Sequence, residues 1–184
     1  APAEFLLENC LHKGGFFQDM IHSGINIYMT LMLAQVLLRA GDQRFFSLVA
    51  GAADFASSTG QWPEAIHPIT GGGCMGDGQH GWAAAEWVMI LRNMFVLEEK
   101  DRLVIGKGIS RHWLQAGVET AFGPTLTPYG RVRVAVRCDE EGIEAELTAE
   151  WYGEARPEVV VDIPGWQKRR LQPPDYHCRL TRQG

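Results

Sequence analysis

Two segments in the C-terminal half alternate between apolar and polar residues, with Ala135 as the exception, a period typical of paired β-strands. The segments are 131–138 and 143–151, separated by Asp-Glu-Glu-Gly at 139–142, a composition typical of a hairpin turn. Pairing Cys138 with Ile143 joins the two apolar faces and also brings opposite charges together. The expected charge pairs are Arg137 with Glu144 and Arg131 with Glu150.

Further strands are predicted on both sides of this hairpin. The segment 158–163 lies between two prolines and is rich in valine, and the segments 103–106 and 118–122 carry weaker β patterns. Several short strands without helical periodicity indicate a small antiparallel β-sandwich. We assign it to residues 100–184.

The N-terminal half follows a helical pattern instead. The segment 23–40 is apolar on nearly every helical face, which predicts a buried helix. Gly41 is placed to end it and Asp42 to begin a second helix through Phe55, so the two form an antiparallel hairpin. A third apolar helix is predicted from about Asp77 to Val96.

The expected fold is therefore α+β, with N-terminal helical hairpins in residues 1–99 and the β-sandwich in 100–184. Helices this apolar need an outer layer that the few predicted helices do not supply. This pattern favours a chain that belongs to a larger protein, or a homo-oligomer formed through the apolar helices.

Composition and charge exclude several classes of function. The formal net charge of −5 argues against nucleic acid as a partner. The longest apolar run, 25–38, is too short to cross a bilayer, so no membrane partner is expected. The 4 cysteines form no CxxC pair, which disfavours a disulfide scaffold or a structural zinc module and favours reduced thiols in the cytoplasm.

A glycine-rich segment between the apolar helices carries the candidate functional residues. Loops with acids, histidines and indoles on a rigid scaffold are typical of ligand and catalytic sites. The candidates within 60–87 are Trp62, Glu64, His67, Asp77, His80 and Trp82.

Each candidate also has a structural interpretation. Glu64 can act as a general base or acid, or it can be a helix-terminal acid or a surface ion-pair partner. Asp77 can be the N-cap of the third helix, and His80 can bind a hydroxyl or serve packing. The spacing of His67, Cys74, Asp77 and His80 fits no standard zinc or iron pattern, so neither a metal nor a cofactor is predicted.

Four stretches share a pattern with one known family. They are the run Gly-Gln-Trp-Pro-Glu-Ala at 60–65, the glycine-rich run 70–87, the turn Arg-Ala-Gly-Asp at 39–42, and the run 103–114 leading into the strands. Together they resemble the end of a six-hairpin α/α-toroid glycoside hydrolase of the α-L-rhamnosidase-like kind. The resemblance implies a partial α/α toroid in residues 1–99.

The resemblance also implies a carbohydrate substrate and hydrolysis by two carboxylates with inversion. Glu64 takes the position of the general base. The substrate-binding residues would be Trp62, His67, Asp77, His80 and Trp82, and the general acid would come from earlier hairpins that this chain lacks. A full toroid needs six hairpins, of which this sequence supplies about two, and the sequence also starts at Ala1 without a methionine. We therefore expect a C-terminal fragment that is inactive alone.

Two other functions fit the same residues. The chain can be a non-catalytic module in which tryptophans bind carbohydrate or a protein, with Glu64 in no special environment. It can also be a full domain that completes its helical layer by oligomerisation, which requires a large apolar interface. Proximity of Glu64 to His80 in an open concavity would favour the hydrolase.

Overall fold

The computed structural model describes residues 2–20 and 23–182, and the chain divides into two compact units. Unit 1 is Ala1–Ile90 and unit 2 is Leu91–Gly184. The division falls within a helix.

Unit 1 combines helices with a five-stranded sheet whose order along the sheet is β1-β2-β3-β4-β5. Every adjacent pair in this sheet is antiparallel. The helices are α1 (Pro2–Asn9), α2 (Ile27–Ala40), α3 (Phe45–Asp54) and α4 (Gly81–Phe95), the last of which continues into unit 2. The strands are β1 (Leu11–His12), β2 (Gly15–Gln18), β3 (Gly24–Asn26), β4 (Ala65–Ile66) and β5 (Gly73–Met75).

The predicted hairpin of α2 and α3 is confirmed. Gly41 adopts the left-handed conformation at φ 74°, and its N–H together with that of Asp42 closes the end of α2. Asp42 does not cap α3, because Arg44 occupies the N-cap position and donates its backbone N–H to the Asp42 carboxylate over 3.0 Å. The core of α2 is apolar, but Met32 and Val36 stay exposed.

The predicted partial α/α toroid is wrong. In unit 1 a single α-helical hairpin, α2 with α3, packs beside the five-stranded sheet, so the described residues form an α+β unit without a ring of hairpins. The sequence did not reveal the sheet, because its strands have only two to four residues and include or adjoin glycines such as Gly24 and Gly14. Strands this short leave almost no periodicity in the sequence.

Unit 2 contains two four-stranded sheets. The first has the order β13-β10-β9-β8 and is antiparallel throughout, and the second has the order β12-β11-β7-β6. The first sheet is formed by β8 (Glu119–Thr127), β9 (Gly130–Cys138), β10 (Ile143–Trp151) and β13 (His177–Leu180). The second is formed by β6 (Val96–Glu99), β7 (Arg102–Ile105), β11 (Glu158–Val161) and β12 (Arg169–Leu171).

The hairpin register predicted from the alternation is confirmed, since β9 and β10 pair Cys138 with Ile143. The same register places Arg131 opposite Glu150, and their charged groups lie 3.7 Å apart. The second sheet departs from the predicted antiparallel sandwich because β7 and β11 run parallel. Parallel partners need a long connection, and the sequence pattern does not reveal which distant strands it joins.

Within the described ranges, no helix combines the length and apolarity that crossing a bilayer requires.

Candidate functional site

The backbone of Glu64 is held between two strands of the unit 1 sheet. Its N–H donates to the carbonyl of Met75 over 3.1 Å, and its carbonyl accepts from the Asn26 side-chain amide over 3.2 Å. Gly76, at φ 76°, passes so close that a Cβ there would lie 3.2 Å from the Glu64 Cβ. Bonds to the short strands β3 and β5 thus fix where the half-buried Glu64 side chain begins.

Asn26 supports this position from the core. It is the last residue of β3 and the N-cap of α2, and it is fully buried. Its side chain makes no cap bond; Nδ2 donates to Glu64 instead, and Oδ1 has no partner among the described groups. Buried polar atoms are normally paired, and the Nδ2 bond to the Glu64 carbonyl is a contact that an apolar side chain could not make.

Tyr28 is the centre of an aromatic cluster in unit 1. Its ring lies in the first turn of α2 and stacks on Trp82, in the first turn of α4, with centroids 4.5 Å apart and an interplanar angle of 25°. The His80 ring lies 5.1 Å from the Tyr28 ring at 60°. Because Trp82 remains 53% exposed, the stack presents an indole surface to solvent.

Glu64 belongs to this cluster through its charge. Burial raises the pKa of Tyr28, and the negative charge of Glu64 raises that pKa further, since both disfavour the tyrosinate. The cluster of Tyr28, Glu64, His80 and Trp82, here called the Tyr28 cluster, therefore combines a carboxylate, an imidazole and an exposed ring. No signal in the sequence marked Tyr28 as functional, because it lies within the apolar segment that forms α2.

We expect the charge of Glu64 to be measurable at Tyr28. With Glu64→Gln the pKa of Tyr28 should fall, yet stay above the ordinary 10.0 because burial is the larger cause. The folded state holds this proton more tightly than the unfolded chain. The contribution of the protonated Tyr28 to the free energy of unfolding is therefore lost as pH rises above about 10. NMR of ring-labelled tyrosine measures the titration, with Tyr28→Phe for assignment.

The matched control for this titration is Glu86→Gln, in the middle of α4, which should leave the Tyr28 midpoint unchanged. An unchanged midpoint in Glu64→Gln as well would contradict the placement of Glu64 beside Tyr28.

His80 is the residue immediately before α4. The sequence predicts Asp77 as the N-cap of this helix. The helix begins at Gly81, and the His80 carbonyl accepts from the Ala84 N–H over 3.2 Å. The His80 N–H donates to the Trp62 carbonyl over 2.8 Å, while its Nδ1 is buried without a partner among the described groups. Asp77 accepts the Gln79 N–H over 3.0 Å in a local turn, so the predicted start of this helix is displaced by one turn.

The side chains of Trp62 and His67 make contacts within the fold. Trp62 is only 4% exposed, donates Nε1 to the Ala52 carbonyl over 2.8 Å, and packs 5.4 Å from the Trp87 ring. His67 accepts two backbone N–H groups at Nδ1, from Ile69 and Thr70, each over 3.2 Å. These contacts bring neither side chain to the Tyr28 cluster.

The glycine-rich loop also borders a separate groove of about 620 Å³. Asp54 and Asp77 line it, and much of its surface is the glycine backbone of residues 71–73, 76 and 78. Glu64, His80 and Trp82 are not part of its lining. Among residues 2–20 and 23–182, no group of three or more His, Cys, Asp or Glu side chains could hold a metal ion.

No family model, curated protein or solved structure matches this chain. Any functional assignment therefore depends on the geometry of the Tyr28 cluster and on the motifs in the sequence.

Proposed function

We propose that this chain supplies the carbohydrate-binding face and the general base of a glycoside hydrolase. The observation that carries the proposal is the exposed Trp82 ring, which stacks on Tyr28 beside the His80 ring. Glu64 is bonded through its carbonyl to Asn26, two residues before Tyr28. The motif resemblance at 60–65 and 70–87 supports the same substrate class. An indole surface beside a carboxylate suits a sugar, which has apolar C–H faces and many hydroxyls.

In this proposal the exposed Trp82 ring receives the sugar face and Glu64 acts on water. The Glu64 backbone is fixed by Met75 and Asn26, which restricts the positions its carboxylate can reach. Such restriction favours a general base, because proton transfer requires the base within hydrogen-bond reach of the attacking water. His80 is placed to bind a sugar hydroxyl.

Hydrolysis with inversion requires a second carboxyl group as general acid, about 6.5–9.5 Å from the base. The resemblance implies that this general acid comes from a different part of the enzyme than the base. The proposal therefore assigns it to another polypeptide segment.

The experiment uses p-nitrophenyl α-L-rhamnopyranoside, chosen from the resemblance, and measures its binding by titration calorimetry. We expect saturable binding that Trp82→Ala weakens at least about tenfold, because the stacking surface is lost. Glu64→Gln should retain binding, since the amide still forms hydrogen bonds. In a protein that contains the acid, this variant should lower turnover by about 10²–10⁴-fold.

Two control variants separate site effects from general ones. Tyr152→Ala removes an exposed aromatic ring in unit 2, and Glu86→Gln neutralises a carboxylate elsewhere on α4. Neither should change binding. Failure of the glycoside to bind, or equal binding with and without the Trp82 indole, would reject the proposal.

A second candidate is non-catalytic carbohydrate binding. It is favoured by one observation, the exposed Trp82 ring stacked on Tyr28, which can bind a sugar face without any catalytic carboxylate. Under this alternative, binding still depends on Trp82, but no protein containing the chain loses turnover with Glu64→Gln.

Self-association and cytoplasmic placement are further proposals. Apolar side chains left exposed on α2 and α4, which support self-association, are Met32, Val36, Val88 and Met89. The 4 free cysteines support a reducing compartment.

A further inference from the structure

Unit 2 contains a groove of about 800 Å³ along β10 and the segment that precedes β13. This volume lies in the range of small-molecule sites. None of the candidate residues of unit 1 lines it. The residues that line it include Glu146, Ala149, Trp151, Arg156, Asp175 and Tyr176.

One wall of the groove is an edge of β10 that has no strand partner among residues 2–20 and 23–182. Strand β13 pairs with β10 only from Ile143 to Glu146, and the Leu147 N–H then donates to the Tyr176 carbonyl over 2.8 Å. Backbone groups of alternate residues point to the same side of a strand. Ala149 and Trp151 therefore present their N–H and C=O groups to the groove side.

The side chains around this edge combine rings with polar groups. The Trp151 and Tyr176 rings meet edge to face at 5.6 Å, and the Arg156 guanidinium lies 5.7 Å from the Trp151 centroid. The Tyr176 hydroxyl is buried and has no partner among the described groups. Asp175 adds an exposed carboxylate.

We propose that this groove is a second saccharide-binding site. Its backbone N–H and C=O groups, the Asp175 carboxylate and the aromatic edges match a neutral ligand rich in hydroxyls. Acidic and basic side chains both line the groove, so no strongly charged ligand is favoured. The choice of a saccharide as the ligand rests on the proposed function. The existence of a binding site here is argued from the geometry of the groove alone.

An extended peptide added to β10 is less compatible with the geometry. Strand addition draws its affinity from a series of main-chain hydrogen bonds. Here only Ala149 and Trp151 turn toward the open side between Leu147 and the end of β10. Two such residues suit a compact ligand better than an added strand.

The test titrates the full chain separately with maltotriose, cellotriose and xylotriose and follows backbone amides by NMR. We expect at least one trisaccharide to shift the amides of Ala149 and Trp151 saturably. Asp175→Ala should weaken this binding about tenfold, as expected for a lost hydrogen bond to a charged group. Asp101→Ala, at another exposed aspartate of unit 2, should leave it unchanged.

Trp82→Ala distinguishes this site from the Tyr28 cluster. The shifts at Ala149 and Trp151 should persist in that variant. If none of the three sugars shifts the amides of Ala149 and Trp151 in the wild-type chain, the inference is overturned. The proposed function still stands in that case if the sugars shift the resonances of Tyr28. Shifts produced by hexa-alanine and by none of the sugars overturn it in favour of strand addition.

Discussion

Trp62→Ala is expected to destabilise unit 1 by about 3–5 kcal/mol, the usual cost of truncating a large buried aromatic side chain. Trp62 is 4% exposed, packs on Trp87 and donates Nε1 to Ala52. The substitution leaves a cavity and an unpaired carbonyl. Urea unfolding followed by circular dichroism at 222 nm measures the loss, since α1–α3 lie in unit 1.

The matched comparison is Trp82→Ala. Trp82 is 53% exposed, so its removal should change the free energy of unfolding by less than about 1 kcal/mol. The two substitutions thus separate a core tryptophan from a proposed binding tryptophan. Equal losses of stability would contradict this distinction.

Asn26→Asp is expected to cost about 3–5 kcal/mol at neutral pH, because it leaves an unpaired charge in the core. Asn26 is 0% exposed, and its Nδ2 donates to the Glu64 carbonyl over 3.2 Å. A carboxylate oxygen at that position would face a carbonyl oxygen with no proton between them. The position of Glu64 should therefore loosen together with the fold.

The penalty at this position should depend on pH in a defined direction. Burial raises the pKa of the introduced carboxyl above its unfolded value of about 3.9, so the folded state favours the protonated form. The penalty therefore grows as pH rises through that value, and it shrinks in acid, where the carboxyl can donate as the amide did. Urea unfolding at pH 4 and pH 7 measures the difference.

Asn9→Asp provides the control for this effect. Asn9 is exposed and also donates its side-chain amide to a backbone carbonyl, that of Phe5, over 2.9 Å. Its replacement should change stability by only about 0.5 kcal/mol at either pH. A similar penalty at Asn9 and Asn26 would show that burial is not the cause.

The elements that the sequence predicted well are those with long, regular patterns. The β9–β10 register follows from nine-residue strands whose charges and apolar faces agree. The α2–α3 hairpin follows from two apolar helices separated by Gly41. Local pattern is sufficient in both cases because the partners are adjacent in the chain.

The short elements could not be predicted in this way. Strands β1–β5 have two to four residues each, and the parallel pairing of β7 with β11 joins segments more than 50 residues apart. The predicted toroid came from the family resemblance, and strands this short left no pattern that would have contradicted it. The sheet instead places Asn26 beside Glu64, a contact across 38 residues.

The candidate site shows the same division. Glu64, His80 and Trp82 were singled out because acids, histidines and indoles in a glycine-rich loop are unusual. Tyr28 and Asn26 were missed because, in sequence, they belong to a buried apolar segment.

The sequence by itself determined the residue types available for chemistry, the two helices of the hairpin and the register of the long strands. These features depend on local periodicity and on partners close in the chain. Only the tertiary structure decided that Trp62 is core while Trp82 is exposed, and that Tyr28 joins Glu64 and His80. Exposure and proximity depend on contacts between distant segments, which a residue's own neighbours in sequence do not encode.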